Sequence, residues 1–221
     1  MKTTRRQRSR GISTAEVLAG SVLSLMTLAV LSSFFQAQQR TTAMQDTYTQ
    51  SQTITRTVLD LVSREIRMAT YDPSGLALGL TPGPCCPGFN QGIIAATPTS
   101  IHFRQDLNGD GDVLDAGEDV TYALGSNQVT RTDGANAAVA LVTGVPSGGL
   151  SFTYWNNGNP PAQLVPSGSP AALTACQLAC VAKVQVSITA NLPNPNPRIT
   201  TPVVSTAESQ VAIRNRSLVN F

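Results

Sequence analysis

The sequence predicts an α+β protein in which one long N-terminal helix packs on an antiparallel β-sheet domain. Residues 21–72 contain neither glycine nor proline, so nothing interrupts a helix there. From residue 76 onward, short alternating runs are separated by Gly, Pro and Asn, which is typical of strands joined by turns. The 221 residues are enough for one core of ordinary size plus an accessory segment.

Positive charge is concentrated at the N-terminus of the chain. Lys2, Arg5, Arg6, Arg8 and Arg10 supply five of the fifteen Lys and Arg residues. The remaining chain carries ten positive and thirteen negative side chains and no basic cluster. This distribution argues against a nucleic-acid-binding surface and instead places a basic segment directly before an apolar one.

An uncharged apolar run extends from Val17 to Phe35 and is long enough to span a bilayer core as a helix. The basic residues before it predict a cytoplasmic N-terminus and an exported remainder. A cleaved secretory signal is the competing interpretation. The run is longer than the ~7–15 residues of such a signal, and no evident small-x-small cleavage site follows it. We therefore predict a single-pass membrane helix.

The helical pattern continues beyond the apolar run. Apolar residues recur there at steps of roughly three and four, which indicates an amphipathic helix. One helix is expected from about residue 13 to about residue 70, ended by Pro73 and Gly75. The residues that define the pattern are Met44, Tyr48, Ile54, Val58, Leu61, Ile66 and Met68.

The N-terminal segment resembles the type IV prepilin motif of pilins and type II secretion pseudopilins. The resemblance lies in a basic leader, Gly11, the apolar Ile12, and Glu16 at the fifth position after the glycine. It implies cleavage between Gly11 and Ile12 by prepilin peptidase, N-methylation of Ile12, and a type IV pilin-like fold. The implied segments are a leader (1–11), a transmembrane and assembly helix (12–36), a soluble helix half (37–72) and an exported β-rich domain (73–221).

Glu16 is the one acidic residue beside the apolar run, where an ionised carboxylate is costly. The resemblance implies that its partner is the N-terminal ammonium of a neighbouring subunit, which would set the axial register of a filament. The alternative is that Glu16 lies solvated at the cytoplasmic interface. The resemblance also implies three kinds of partner: other major and minor pilins or pseudopilins, prepilin peptidase, and an inner-membrane assembly platform.

The exported part is expected to form one antiparallel sheet. Its strands are predicted at IHFRQ, DVTYAL, NQVTRT, GLSFTYW, VAKVQVSIT and STAESQVAIRN. Phe152, Tyr154, Arg214 and Asn215 resemble motifs of the PilW group of minor pilins and of the J-type minor pseudopilin. The side chains expected to face the core are Ile101, Phe103, Val120, Tyr122, Leu124, Phe152 and Tyr154.

One loop is unusually acidic. Residues 106–119 hold six of the thirteen acidic residues. Asp106, Asn108, Asp110 and Gly111 match positions one, three, five and six of an EF-hand-type calcium loop, but position twelve is a glycine. We predict a calcium loop on a hairpin; the alternative is a solvated polar turn. Asp133 lies outside it in sequence. The candidate calcium ligands are Asp106, Asn108, Asp110, Asp112, Asp115 and Glu118.

Four cysteines, Cys85, Cys86, Cys176 and Cys180, lie in the exported part. An oxidising compartment favours disulfides, and the spacing matches no recognised zinc motif. Four cysteines allow three pairings, and the sequence does not choose between them.

The sequence does not predict an enzyme. His102 is the single histidine, on a predicted strand, and no nucleophile or phosphate-binding loop is placed near it. No catalytic residue and no organic cofactor are expected, only calcium. The resemblance implies an inner-membrane protein with its C-terminal domain in the periplasm or on an extracellular filament. We expect a minor pilin or pseudopilin that helps initiate or cap a type IV pilus or type II secretion pseudopilus. The alternative is a membrane-tethered calcium-dependent adhesin.

Overall fold

The computed structural model describes residues 13–75, 78, 92–197 and 199–213. The chain forms two compact units, divided between Asp46 and Thr47. The elements in chain order are α1 (Thr14–Met68), β1 (Ile93–Ala96), β2 (Ser100–Arg104), β3 (Asp119–Gly125), β4 (Gln128–Asp133), β5 (Val139–Thr143), β6 (Leu150–Trp155), β7 (Gln163–Leu164), α2 (Ala175–Cys180), β8 (Lys183–Leu192) and β9 (Val203–Ala212).

In the first unit, the apolar side chains of the run in helix α1 are exposed. The helix is long and apolar enough to cross a membrane. Four hydroxyl groups of the apolar run bond within the helix: Ser21, Ser24, Thr27 and Ser33 donate to carbonyl oxygens three or four residues earlier, at 2.8–2.9 Å. This bonding lets polar side chains lie in an apolar stretch without an external partner.

The second unit contains two antiparallel sheets rather than the single sheet expected. One has the order β1-β2-β3-β4-β5, and the other has the order β7-β6-β8-β9. The buried side chains of both sheets belong to one hydrophobic core. The sequence pattern missed β1, β5 and β7 because these strands are short and do not alternate cleanly between buried and exposed residues.

The predicted core residues are buried with one exception. Ile101, Phe103, Val120, Tyr122, Phe152 and Tyr154 are at most 4% exposed. Leu124 is half-buried and packs against the edge of this cluster. Strand alternation therefore identified the inward face of β2, β3 and β6 correctly.

The last turns of α1 supply the helical side of this core. The buried helix residues are Ser51, Thr55, Val58, Leu59, Val62, Ser63 and Ile66, so the buried stripe includes small polar side chains that an apolar pattern does not count. The helix ends at Met68, before Pro73, and Thr70 follows with a left-handed φ of 69°. The predicted span of about 13–70 is confirmed to within two residues.

Candidate functional site

Glu16 lies in the first turn of α1 and closes a hydrogen-bonded cap. Its Oε2 accepts from the backbone N–H of Ser13 at 3.1 Å, and Ser13 Oγ accepts from the N–H of Ala15 at 3.3 Å. Ser13 caps the helix through the N–H of the second helical residue, and Glu16 returns a bond to the Ser13 N–H, which is one half of a capping box; the sequence signal was the Ser-x-x-Glu spacing. Glu16 therefore has a local structural role that the family resemblance does not include. Gly11 and Ile12 lie outside the described residues.

The acidic loop joins β2 to β3, and the strand register extends into it. Arg104 pairs with Asp119, and the N–H of the next residue, Gln105, donates to the carbonyl of Glu118 at 2.9 Å. The end of α1 anchors the same place, because Asp106 N–H donates to the Tyr71 carbonyl at 2.6 Å. The hairpin and the helix end together fix the start of the loop.

Two carboxylates form the inside of the loop and are almost completely buried. Asp106 is 0% exposed; its Oδ1 accepts from Gly109 N–H at 2.6 Å and its Oδ2 from Gly111 N–H at 3.1 Å. Glu118 is 1% exposed, and its Oε1 accepts from the N–H groups of Leu107 and Asn108 at 2.7 and 3.3 Å. The backbone folds around these two side chains. Gly111 has the left-handed φ of 86° that such a turn requires.

The other candidate ligands lie on the rim of the loop and bond to one another. Asn108 Nδ2 donates to Asp110 Oδ2 at 3.0 Å and to Asp115 Oδ2 at 2.9 Å. Asp110 Oδ1 accepts from Asp112 N–H, and Asp112 Oδ1 accepts from the two following N–H groups. These local bonds relieve part of the crowding that the sequence suggested a cation must relieve.

Asp119 faces away from the loop. Its carboxylate hydrogen-bonds to the His102 ring, and its Oδ2 accepts from Arg104 Nε and Nη2 at 3.2 and 3.1 Å. The sequence counted Asp119 among the crowded acids, but its charge is paired with the Arg104 guanidinium, outside the loop. His102 lies on β2 as predicted, with a side chain that is 26% exposed.

Asp133 belongs to the loop's surroundings, contrary to the sequence interpretation. Both of its carboxylate oxygens accept from Gly117 N–H, at 2.8 and 3.0 Å. Its Oδ2 also lies 3.4 Å from Arg131 Nη1. The β3–β4 hairpin brings Asp133 back beside the loop, which sequence distance alone could not reveal.

The soluble half of α1 is connected to the sheet through a half-buried polar cluster. Glu65 Oε2 accepts from the Tyr122 hydroxyl at 2.6 Å, and both Glu65 oxygens accept from Arg131 Nε at 3.2 and 3.1 Å. Burial, and then the hydrogen bond to the Glu65 carboxylate, raises the pKa of Tyr122. Residues Glu65, Arg131 and Asp133 thus connect the helix to the loop.

Two buried oxygens beside the loop have no hydrogen-bond partner among the described residues, namely Gln105 Oε1 and Glu118 Oε2. Gln105 is 3% exposed, and its Nε2 donates to the Gly117 carbonyl at 2.7 Å. Sequence reasoning missed Gln105, although the alternation of Ile101 and Phe103 along β2 places it on the buried face. Within the described residues no three Asp, Glu, His or Cys side chains form a ready metal-binding group.

The cysteines divide between described and undescribed parts of the chain. Cys176 and Cys180 on α2 are both disulfide-bonded, and none of the described cysteines is free. Cys85 and Cys86 lie outside the described residues, as do Arg214 and Asn215 of the PilW-like pattern. The expectation that all four cysteines form disulfides, and their pairing, therefore stay predictions.

No protein-family model matches the chain, and no curated protein or solved structure matches it significantly. Functional inference therefore rests on the motifs and the geometry described above.

Proposed function

We propose that the chain is a minor pilin or pseudopilin, a low-copy structural subunit that helps initiate or cap a type IV pilus or type II secretion pseudopilus. One observation carries the proposal. The uncharged apolar helix surface from Val17 to Phe35 is exposed, and a single carboxylate, Glu16, lies at its start. Such a surface needs lipid or neighbouring apolar helices around it.

The soluble part of the chain supports the same proposal. From Thr47 onward, α1 is part of a compact unit with two sheets, so the helix carries a folded domain. The Ser13 cap leaves Glu16 without a cationic partner in the described chain, and a carboxylate at the start of a lipid-embedded helix gains from one. In the proposal, that partner is the free N-terminus of a neighbouring subunit, created by cleavage after Gly11.

The decisive experiment follows processing and incorporation in cells that contain the assembly machinery. We expect the mature protein to begin at Ile12, as measured by mass spectrometry of its N-terminal peptide, and Gly11→Val to leave the leader attached. Glu16→Leu is expected to be processed and membrane-inserted but depleted from sheared filaments by roughly 10-fold, about what a charge interaction of ~1.4 kcal/mol would contribute. Asp60→Leu, which removes an exposed carboxylate from the soluble half of α1, is the matched control and should be incorporated normally.

A mature start beyond residue 30, or equal incorporation of the parent and Glu16→Leu proteins, would contradict the proposal. The second candidate function is a membrane-tethered calcium-dependent adhesin, favoured by the buried Oε2 of Glu118 beside the acidic loop, which has no hydrogen-bond partner within the described part of the chain. Deletion of the gene distinguishes the two: loss of filaments supports the structural subunit, whereas intact filaments with lost attachment support the adhesin.

A further inference from the structure

The base of the acidic loop has the features of a cation site. We define the loop base as Gln105, Asp106 and Glu118, three side chains that are at most 3% exposed. Because Gln105 and Glu118 lie opposite each other at the end of the β2–β3 ladder, their side chains leave the strands on the same buried face. Asp106 follows Gln105 directly, and its carboxylate is turned into the loop.

The two carboxylates of the loop base have no positive partner among the described residues. The ion pairs found there involve Asp119, Glu65 and Asp133, and none involves Asp106 or Glu118. Neutral groups supply the hydrogen bonds of both carboxylates: four backbone N–H groups and, at 3.5 Å from Asp106 Oδ2, the Ser74 hydroxyl. Burying two ionised carboxylates costs free energy unless a positive charge accompanies them.

The unpartnered oxygens are independent evidence for a ligand. Gln105 Oε1 and Glu118 Oε2 are both acceptors, so each lacks a donor or a cation rather than an acceptor. The Gln105 amide is not simply reversed, because its Nε2 must donate to the Gly117 carbonyl. A hard cation satisfies acceptor oxygens directly.

We propose that the loop base binds a calcium ion through the carboxylates of Asp106 and Glu118 and the amide oxygen of Gln105. Calcium accepts irregular sets of six to eight oxygens, so backbone carbonyls and water can complete its shell, whereas magnesium demands near-octahedral geometry. Two carboxylates provide less charge than an EF-hand, so we expect a dissociation constant of about 10⁻⁴ to 10⁻³ M, as in extracellular modules. The rim residues Asp110, Asp112 and Asp115 shape the loop and are not required ligands.

The test uses the purified full-length chain in detergent, with unfolding followed by the fluorescence of Trp155, the only tryptophan. Calcium at about 10 mM, roughly 10 to 100 times the expected dissociation constant, should raise the melting temperature by several degrees, and magnesium should raise it much less. Glu118→Gln, which keeps the side-chain shape, should abolish the calcium-specific rise. Asp112→Asn is the matched control on the rim. It retains the oxygen that accepts from Val113 and Leu114, and it should preserve the rise.

Gln105→Glu gives a result that a purely structural role would not produce. A third carboxylate should lower the melting temperature in chelator, because like charges then face each other without a cation. In calcium the same variant should show a larger rise than the parent and an affinity about 10-fold tighter, because ligand charge tunes affinity. This variant keeps the test decisive if Glu118→Gln folds poorly.

Three results would overturn the site: equal effects of calcium and magnesium on the parent, a retained calcium rise in Glu118→Gln, or a calcium rise in Gln105→Glu no larger than in the parent. Loss of the calcium-specific rise in Asp112→Asn would indicate that rim residues bind the ion, and it would also contradict the proposed site at the loop base. The measurement needs no filament partners. Its failure is therefore separate from failure of the structural-subunit proposal, which the processing and incorporation experiment tests.

Discussion

Helix α1 carries two glutamates in opposite surroundings. Glu65 accepts hydrogen bonds from the Tyr122 hydroxyl and from Arg131, so its charge is compensated inside the folded domain. Among the described residues, Glu16 accepts only from the N–H of Ser13, at the start of an exposed apolar surface. The same residue type on the same helix thus has its cationic partner within the chain at one position and none in the described chain at the other.

The difference shows how the two parts of the helix are specialised. The domain half of α1 is stabilised by packing and by Glu65, so changes there should alter the free energy of unfolding. The apolar half has no covering side chains among the described residues, so changes there should alter assembly without altering the domain. This separation can be tested with matched pairs of substitutions.

The largest expected effect comes from truncating a buried apolar side chain of α1. Ile66 is 0% exposed, whereas Leu25 is 66% exposed. Ile66→Ala should lower the free energy of unfolding by about 4 kcal/mol, because it leaves a cavity in the core. Leu25→Ala should leave the unfolding midpoint of the domain unchanged. Urea titration of the full chain in detergent, followed by Trp155 fluorescence, measures both, and similar losses in the two variants would abolish the proposed separation.

The two glutamates give the next largest contrast. Glu65→Leu should cost about 3 kcal/mol, because the Tyr122 hydroxyl loses its acceptor and Arg131 loses its main counter-charge in a half-buried site. Glu16→Leu should leave domain stability unchanged in the same titration.

A double substitution sharpens that result. Glu65→Leu with Arg131→Met removes both partners, so the double variant should be more stable than the sum of the single losses predicts, because neither charge then remains buried alone. Additive losses would show that Glu65 and Arg131 act independently.

Sequence reasoning predicted the features that follow from a regular spacing of residues, and it missed contacts between residues that lie far apart in the sequence. The helix span and the inward faces of β2, β3 and β6 follow from regular spacing, and they were predicted correctly. The partnership of Glu65 with Arg131, and of Asp133 with Gly117, depends on the β3–β4 hairpin turning back against the helix and the loop. No local pattern encodes those contacts. Gln105 lies between these two cases. The alternation along β2 predicts a buried side chain at this position, but a polar residue is not expected to be buried, so the pattern was overlooked.

The hydroxyls of the two buried tyrosines bond to different parts of the fold, one to the helix and the other to the sheet. Tyr122 donates to Glu65, and Tyr154 donates to the Thr97 and Ser100 carbonyls. Burial raises the pKa of both, and Glu65 raises that of Tyr122 further. As the pH rises, these hydroxyls therefore lose their protons in the unfolded chain before they do so in the folded chain. Their contribution to the free energy of unfolding is fully present below about pH 10 and falls as the pH rises above it.

Each tyrosine should contribute a slope of about 1.4 kcal/mol per pH unit in that range. Tyr154→Phe should reduce the pH dependence of the melting temperature between about pH 10 and 11.5, and Tyr122→Phe should do so to a similar degree. Tyr48, on the exposed face of α1, provides the control: Tyr48→Phe should leave the slope unchanged. An unchanged slope in both buried variants would mean that their hydroxyls ionise equally in the folded and unfolded chain.

The smallest effect concerns the cap of α1. Ser13→Ala removes the hydroxyl that accepts from Ala15 N–H but keeps the backbone N–H that Glu16 binds. The first turn should lose about 1 kcal/mol, so the amides of Ala15 and Glu16 in the unprocessed protein in detergent should exchange with deuterium about 5-fold faster. Ser13→Asp should restore slow exchange, because a carboxylate at the N-cap stabilises the first turn about as much as a hydroxyl does. Because Glu16 keeps its own bond in Ser13→Ala, filament incorporation should stay near that of the parent. If Ser13→Ala lowered incorporation as strongly as Glu16→Leu, the effect of Glu16 on assembly would come from the cap rather than from its charge.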